Sequence, residues 1–144
     1  MSQSDPLFEY TEPQPRIYKS NAIRIGTFIG GPLVAGYLIA ENYKAFDDYK
    51  KAKTTWIVAI LSTVLLLGAT FLIPDSVPMP KMVIPIAYSW LVFYLVKNLQ
   101  GADIDEHIKT GGPVFSWWRI IGVGMLGTVI TLALIFAIVL VVGV

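Results

Sequence analysis

The residues best suited to chemistry in this 144-residue chain lie in one short polar stretch. That stretch holds three acids and the single histidine of the chain: Asp103, Asp105, Glu106 and His107. Carboxylate oxygens with one imidazole are ligands that a divalent cation accepts. The longer ligand series and the glycine of a calcium-binding loop are missing, so we favour a solvated surface helix that Asp103 caps, with Glu106 in the reciprocal position. His107 is then a surface histidine, paired at most with Asp103, and no metal site is predicted.

The remaining composition excludes several chemistries. The sequence has no cysteine, which removes disulfides, iron–sulfur clusters, thiolate zinc sites and cysteine nucleophiles. A single histidine cannot supply the paired histidines of a haem-binding span or of a helical zinc protease. The formal net charge of +1 gives no field that would attract nucleic acid. We therefore predict no enzyme activity, no catalytic residue, no cofactor and no nucleic-acid partner.

Apolar residues make up 55% of the chain and charged residues 15%, with a mean hydropathy of +0.64. Soluble domains are usually about 45–50% apolar and about 25% charged. The predicted fold class is an all-α integral membrane protein. It has three clear transmembrane helices and a Gly/Pro-rich first membrane segment, which is either re-entrant or a fourth span. The predicted organisation is a polar tail over 1–20 and one membrane domain over 21–144, with apolar segments at 23–40, 55–73, 82–99 and 117–144.

Two polar regions allow more than one interpretation. Residues 1–20 form either a surface tail or an arm that docks on a partner through its apolar side chains, Leu7, Phe8, Tyr10, Ile17 and Tyr18. The charged stretch 41–54 is predicted to be a short amphipathic helix or a helical extension at the membrane surface, with a solvated loop as the alternative. The lysine–aspartate spacings Lys44–Asp48 and Asp47–Lys51 suit a helix surface.

Small residues dominate the first apolar segment. Its eighteen residues would extend about 27 Å as one helix, barely the thickness of a bilayer core. Pro32 after two glycines predicts a kink or break near 30–32. Glycines spaced four apart let two helices approach closely in lipid. We predict helix packing at seven positions: Gly26, Gly30, Gly31, Pro32, Gly36, Gly122 and Gly127.

Four residues at segment ends are the predicted interface anchors, because aromatic rings and arginine favour the headgroup level: Trp56, Trp117, Trp118 and Arg119.

Basic residues accumulate on the cytoplasmic side of membrane proteins. If all four segments span, the two faces carry seven and four basic residues. If the first segment returns to its own side, the division is ten against one, with Lys81 alone outside. We favour the re-entrant segment. Both arrangements place 41–54 and 97–116 in the cytoplasm and 74–81 outside.

The run from Phe28 to Tyr37, FIGGPLVAGY, followed by Asn42 and Tyr43, resembles an element of small uncharacterised bacterial membrane proteins, in which three further apolar segments follow. That resemblance implies a bacterial inner-membrane location and brings no activity with it.

The leading hypothesis is a non-catalytic small subunit or accessory protein of a larger membrane assembly. The expected partners are the lipid bilayer and either other membrane subunits or further copies of this chain. The alternative is an oligomeric pore, transporter or lipid-binding element built around the glycine-rich segment.

Overall fold

A computed structural model describes residues 13–143, and these form six helices with no strand among them. The helices are α1 (Ser20–Gly30), α2 (Pro32–Ala45), α3 (Tyr49–Leu72), α4 (Val83–Leu99), α5 (Gly101–Lys109) and α6 (Trp117–Val142). The all-helical fold class is therefore confirmed for this part of the chain. Of the three expected transmembrane helices, α3 with 24 residues and α6 with 26 are long and apolar enough to cross a membrane, whereas α4 has only 17.

The first apolar segment is a helical hairpin. Helix α1 ends at Gly30, and the next residue, Gly31, has a φ of +83°, in the region that only glycine adopts readily. Pro32 then begins α2, at a position where its missing N–H is not needed. The predicted break at 30–32 is confirmed. Helices α1 and α2 then fold back on each other. Their close packing is evident at Gly26, where a Cβ would lie 2.7 Å from the Leu38 Cδ1 atom. Both ends of the hairpin therefore lie together, and the segment does not form one continuous helix. We call the turn at Gly31 the tip and the opposite end the base.

The long helices pack against the hairpin. Helix α1 packs against α6 on one side and α4 on the other, while α2 packs against α3. The three long helices contact the hairpin rather than one another. The main apolar core gathers at the base, where side chains from five helices and the preceding residues meet, each at most 3% exposed: Ile17, Tyr18, Ala22, Ile23, Val34, Leu38, Val96, Ile104 and Ile120.

Of the two interpretations of residues 1–20, the described part of that range excludes a surface tail, because two of the predicted apolar anchors pack within the chain itself. Ile17 and Tyr18 are fully buried. The Ile17 N–H donates to the Pro113 carbonyl, and its own carbonyl accepts from the Phe115 N–H. These backbone bonds hold the stretch before α1 against the stretch before α6. The docking candidates Leu7, Phe8 and Tyr10 lie outside the described residues.

The charged stretch 41–54 extends both neighbouring helices. Helix α2 runs on to Ala45, and α3 begins at Tyr49, where the Asp48 carboxylate accepts from the Lys51 N–H at 3.1 Å. The turn between them separates the predicted pairs Lys44–Asp48 and Asp47–Lys51. Lys44 instead pairs with Glu41 at 3.0 Å, and Lys51 pairs with Asp48 at 3.3 Å.

The cap predicted at Asp103 is wrong. Helix α5 starts at Gly101, directly after Gln100, so Asp103 lies inside its first turn and caps nothing. The His107 Nε2 atom lies 2.9 Å from the Pro113 carbonyl oxygen rather than beside Asp103. This imidazole closes the loop that returns the chain to α6.

Close approach between helices occurs at four of the predicted packing glycines. A Cβ on Gly30 would lie 2.8 Å from the Gly124 carbonyl oxygen, and one on Gly36 would overlap the Ala59 Cβ. Gly26 faces Leu38, and Gly127 faces Val34. Gly122 has open space around it within the described chain; Gly124, which the sequence did not single out, faces Ile29 instead.

We expect Gly30→Ala and Gly36→Ala to lower the thermal unfolding midpoint in mild detergent, because a methyl group at either position meets atoms that cannot move aside. Overpacking of this kind costs about 1–3 kcal/mol. Gly122→Ala and Gly68→Ala are matched controls on α6 and α3, since a Cβ at either has nothing within 4 Å. Both controls should leave the midpoint unchanged or raise it, as alanine favours helix over glycine. Equal shifts in all four variants would contradict the close packing.

Candidate functional site

Two buried amides close the base of the hairpin. The Asn42 Oδ1 atom accepts from the Tyr18 N–H at 2.8 Å, and the Asn42 Nδ2 atom donates to the Tyr18 carbonyl at 2.9 Å. The same Nδ2 atom lies 3.4 Å from the Gln100 Oε1 atom, while Gln100 Nε2 donates to the Ile39 carbonyl at 3.1 Å. Asn42 and Gln100 are both 0% exposed. The pair therefore ties the start of α1, the end of α2 and the end of α4 into one hydrogen-bonded unit.

Tyr18 also carries an aromatic and cationic cluster. Its ring stacks on Phe115 with centroids 4.3 Å apart, and Arg119 Nε donates to its hydroxyl at 2.9 Å. The Arg119 guanidinium lies 4.5 Å above the Phe115 ring. Burial raises the pKa of the Tyr18 hydroxyl above its ordinary value, and the hydrogen bond from Arg119 opposes that rise only in part. Tyr18 is therefore neutral at physiological pH, and the charge of this cluster is that of Arg119.

The four predicted interface anchors all lie toward the base. Trp56 contacts the Tyr37 ring edge-on, with centroids 6.3 Å apart. Trp117 and Trp118 are 50% and 83% exposed in the first turn of α6. Arg119 is exposed, and its guanidinium lies against Tyr18 and Phe115. A second arginine, Arg24, lies 4.4 Å above the Trp90 ring of α4.

The tip of the hairpin is held by α6. The Thr128 hydroxyl donates to the Ile29 carbonyl at 2.6 Å, which satisfies one of the carbonyls left unpaired at the end of α1. Thr27 and Thr63 instead donate to carbonyls of their own helices. Among residues 13–143, every buried side-chain nitrogen and oxygen has a hydrogen-bond partner. The hairpin thus keeps its polar groups satisfied at both ends.

An apolar groove of about 370 Å³ runs beside the hairpin between α2 and α6, and Trp56 is the one α3 residue that lines it. It is lined by Leu33, Val34, Tyr37, Trp56, Val123, Leu126, Gly127 and Ile130. Tyr37 and Trp56 lie at its base end, and Arg119 lies one turn before Val123 on α6. The polar stretch around His107 makes no comparable site: in the described ranges no three histidine or acidic side chains come together in a way that could hold a metal ion.

Sequence reasoning missed the two amides. Asn42 and Gln100 follow directly on apolar segments, and each was assigned to a polar loop. One signal was present: both are uncharged amides at the end of an apolar helix, where an amide can satisfy backbone groups of a neighbouring segment. Tyr18 was noted only as an apolar anchor. Its partners are 24 and 101 residues away in sequence, so local pattern gave no access to them.

We expect Asn42→Ala to lower the thermal unfolding midpoint strongly, because it leaves the N–H and the carbonyl of Tyr18 buried without partners. Each such group costs about 1–3 kcal/mol. The matched control is Asn98→Ala, which removes a single exposed bond of 3.0 Å from Asn98 Nδ2 to the Tyr94 carbonyl. Hydrogen exchange at the Tyr18 amide should accelerate in Asn42→Ala and stay slow in Asn98→Ala. Slow exchange in both variants would show that Asn42 does not hold the base.

Comparisons of the chain with protein-family models, with curated proteins and with solved structures found no match. The resemblance of the run from Phe28 to Tyr37 to small bacterial membrane proteins therefore stays an expectation. The physical description of the site depends on the contacts of its own residues: a hairpin closed by Asn42 and Gln100, a cation at Arg119, and an apolar groove between α2 and α6.

Proposed function

We propose that this chain is an integral membrane protein that serves as a non-catalytic small subunit or accessory protein of a larger membrane assembly. The observation that carries the proposal is the exposure of its long helices. Only 11% of the most apolar window of α3 and 6% of that of α6 are buried inside the chain. Side chains such as Leu65, Leu72 and Val141 are 72%, 83% and 86% exposed. Surfaces of this size need lipid or another protein to cover them.

The hairpin fits a re-entrant position in the bilayer. From Trp117 to Thr128, which bonds the tip, α6 rises about 16 Å, and from Tyr49 to Ala59, which contacts α2, α3 rises about 15 Å. The hydrocarbon core of a bilayer is about 30 Å thick. If α3 and α6 cross it, the tip lies near the midplane and both ends of the hairpin emerge on one side. Non-helical backbone is tolerated at such depth where protein covers it, as α6 covers the tip here.

Charge supports the orientation. The base gathers the basic residues of the hairpin ends and of the loops 41–54 and 97–119, whereas the connection between α3 and α4 carries Lys81 alone. By the positive-inside rule the base faces the cytoplasm and 74–81 lies outside. The expected membrane is the bacterial inner membrane, an expectation that rests on the resemblance of the run from Phe28 to Tyr37.

The competing proposal is an oligomeric pore or transporter lined by the glycine-rich hairpin. One observation weighs against it. The tip carbonyl of Ile29 is already bonded to Thr128, and Gly30 at the tip packs against Gly124 of α6 within a single chain. A pore lining would instead present such backbone groups to water.

Cysteine labelling tests the threading, and the cysteine-free sequence needs no prior substitution. Gln14→Cys and Lys51→Cys should react with a membrane-impermeant maleimide only after the cytoplasmic side is opened. Ser76→Cys should react in intact cells. The unaltered chain is the control and should not label at all. Labelling of Gln14→Cys and Ser76→Cys from the same side would restore the fourth span and remove the re-entrant hairpin.

Purification in mild detergent tests the role. We expect the chain to migrate with a second membrane protein at a fixed ratio through successive columns. The exposed faces of α3 and α6 then become protected from hydrogen–deuterium exchange relative to the isolated chain. A lone symmetric oligomer of this chain would instead favour the pore, and a lone monomer would contradict both roles.

A further inference from the structure

The groove between α2 and α6 has a cation at one end. Arg119 lies one turn before Val123, toward the base, and in the described part of the chain no carboxylate lies within 4.0 Å of its guanidinium. Its Nε atom donates to the Tyr18 hydroxyl at 2.9 Å, the Tyr37 hydroxyl also lies beside the guanidinium, and the side chain is exposed. Lys53 lies three residues before Trp56 on α3, and its side chain is exposed. The base end of the groove is therefore positively charged.

The nearest acid on α2 does not cancel that charge. Glu41 lies one turn beyond Tyr37 on α2, and its carboxylate pairs with Lys44 at 3.0 Å. Tyr37 adds a hydroxyl beside Tyr18 and Arg119. A phosphate group at this position would meet a guanidinium and a phenolic donor, the groups that bind phosphate best in proteins.

The rest of the groove is apolar and opens sideways. Leu33, Val123, Leu126 and Ile130 line it from the level of Arg119 toward the tip. If α3 and α6 span the bilayer, this opening faces hydrocarbon at the depth of the acyl chains. An unfilled apolar groove of about 370 Å³ forfeits packing contacts, which favours an acyl chain that fills it.

We propose that the groove binds one anionic phospholipid, with its phosphate at Arg119 and Tyr37 and an acyl chain along α2 and α6 beside Trp56. The proposal rests on the membrane placement argued above and goes beyond it by naming a lipid class and a site. A zwitterionic lipid fits the same groove but carries a cationic headgroup that Arg119 and Lys53 repel. Lipid charge therefore determines the preference, and the acyl chain supplies affinity that both lipid classes share.

Trp56 reports on the site directly. With Trp90, Trp117 and Trp118 changed to phenylalanine, its fluorescence is the only tryptophan signal, and bromine on an acyl chain in the groove quenches it. In vesicles that contain brominated phosphatidylglycerol or brominated phosphatidylcholine, we expect a roughly fivefold preference for the anionic lipid, the effect of about one cation near an anionic headgroup. Native mass spectrometry of the unaltered chain with the same two lipids gives a second reading that needs no substitution.

Five variants separate the parts of the site. Arg119→Gln should remove the preference, whereas Lys109→Gln, an exposed cation of α5, should keep it. Arg119→Lys keeps the charge without the Nε bond to Tyr18 and should retain most of the preference, which distinguishes charge from lost packing. Leu126→Phe should fill the groove and weaken quenching by both lipids. Leu132→Phe is its matched control on α6, because Leu126 and Leu132 are both 60% exposed.

Equal quenching by the two lipids in the parent chain, or equal effects of Arg119→Gln and Lys109→Gln, would overturn the lipid site. If neither lipid quenched the Trp56 fluorescence, the lipid site would also be overturned, because no acyl chain would then lie in the groove. The labelling of Gln14→Cys, Lys51→Cys and Ser76→Cys reads the membrane placement separately. If that labelling holds while the preference is absent, only the lipid site has failed.

Discussion

The side-chain amide of Asn42 is the interaction on which the rest of the structure depends. It reproduces, with one side chain, the pair of hydrogen bonds that a neighbouring backbone would make with Tyr18. Helices α1 and α2 run in opposite directions from the tip. The Asn42–Tyr18 bonds join the start of α1 to the end of α2 at the base. Gln100 extends the link to α4 through Asn42 and the Ile39 carbonyl. In an environment with little water, hydrogen bonds of this kind are costly to break, because the freed groups find no other partner.

Small residues determine how closely the long helices approach the hairpin. Gly30 meets the backbone of Gly124 on α6, and Gly36 meets Ala59 on α3. Helices in lipid gain no hydrophobic energy from association, so dispersion contacts at short range must supply it. This explains why the hairpin, with its glycines, lies at the centre of the fold, while α3, α4 and α6 present their leucine, isoleucine and valine side chains outward.

The sequence predicted the parts of the fold that local chemistry controls. Pro32 after two glycines indicated the break, and the uncharged runs indicated α6 and the end of α3, whereas α3 begins at Tyr49, six residues before the predicted segment. The direction of the hairpin followed only from counting lysines and arginines, which is an argument about the membrane and not about contacts. The capping role of Asp103 failed because α5 follows α4 after only Gln100, so no free N-terminus exists there for an aspartate to cap. Asn42, Gln100 and Gly124 act through residues distant in sequence, and the position of the two amides at the ends of apolar helices does not name their partners.

The position of Tyr18 has a consequence for the order in which the protein matures. Its backbone is bonded to Asn42, its hydroxyl to Arg119, and Ile17 beside it to Pro113 and Phe115. Synthesis delivers these partners in sequence, and the last of them emerges about a hundred residues after Tyr18. Among the described helices, α1 therefore remains incompletely packed until α6 has been synthesised. A chain that ends before α6 leaves the Tyr18 hydroxyl without Arg119 and the Ile29 carbonyl without Thr128, so each end of the hairpin lacks a hydrogen bond that it has in the finished fold.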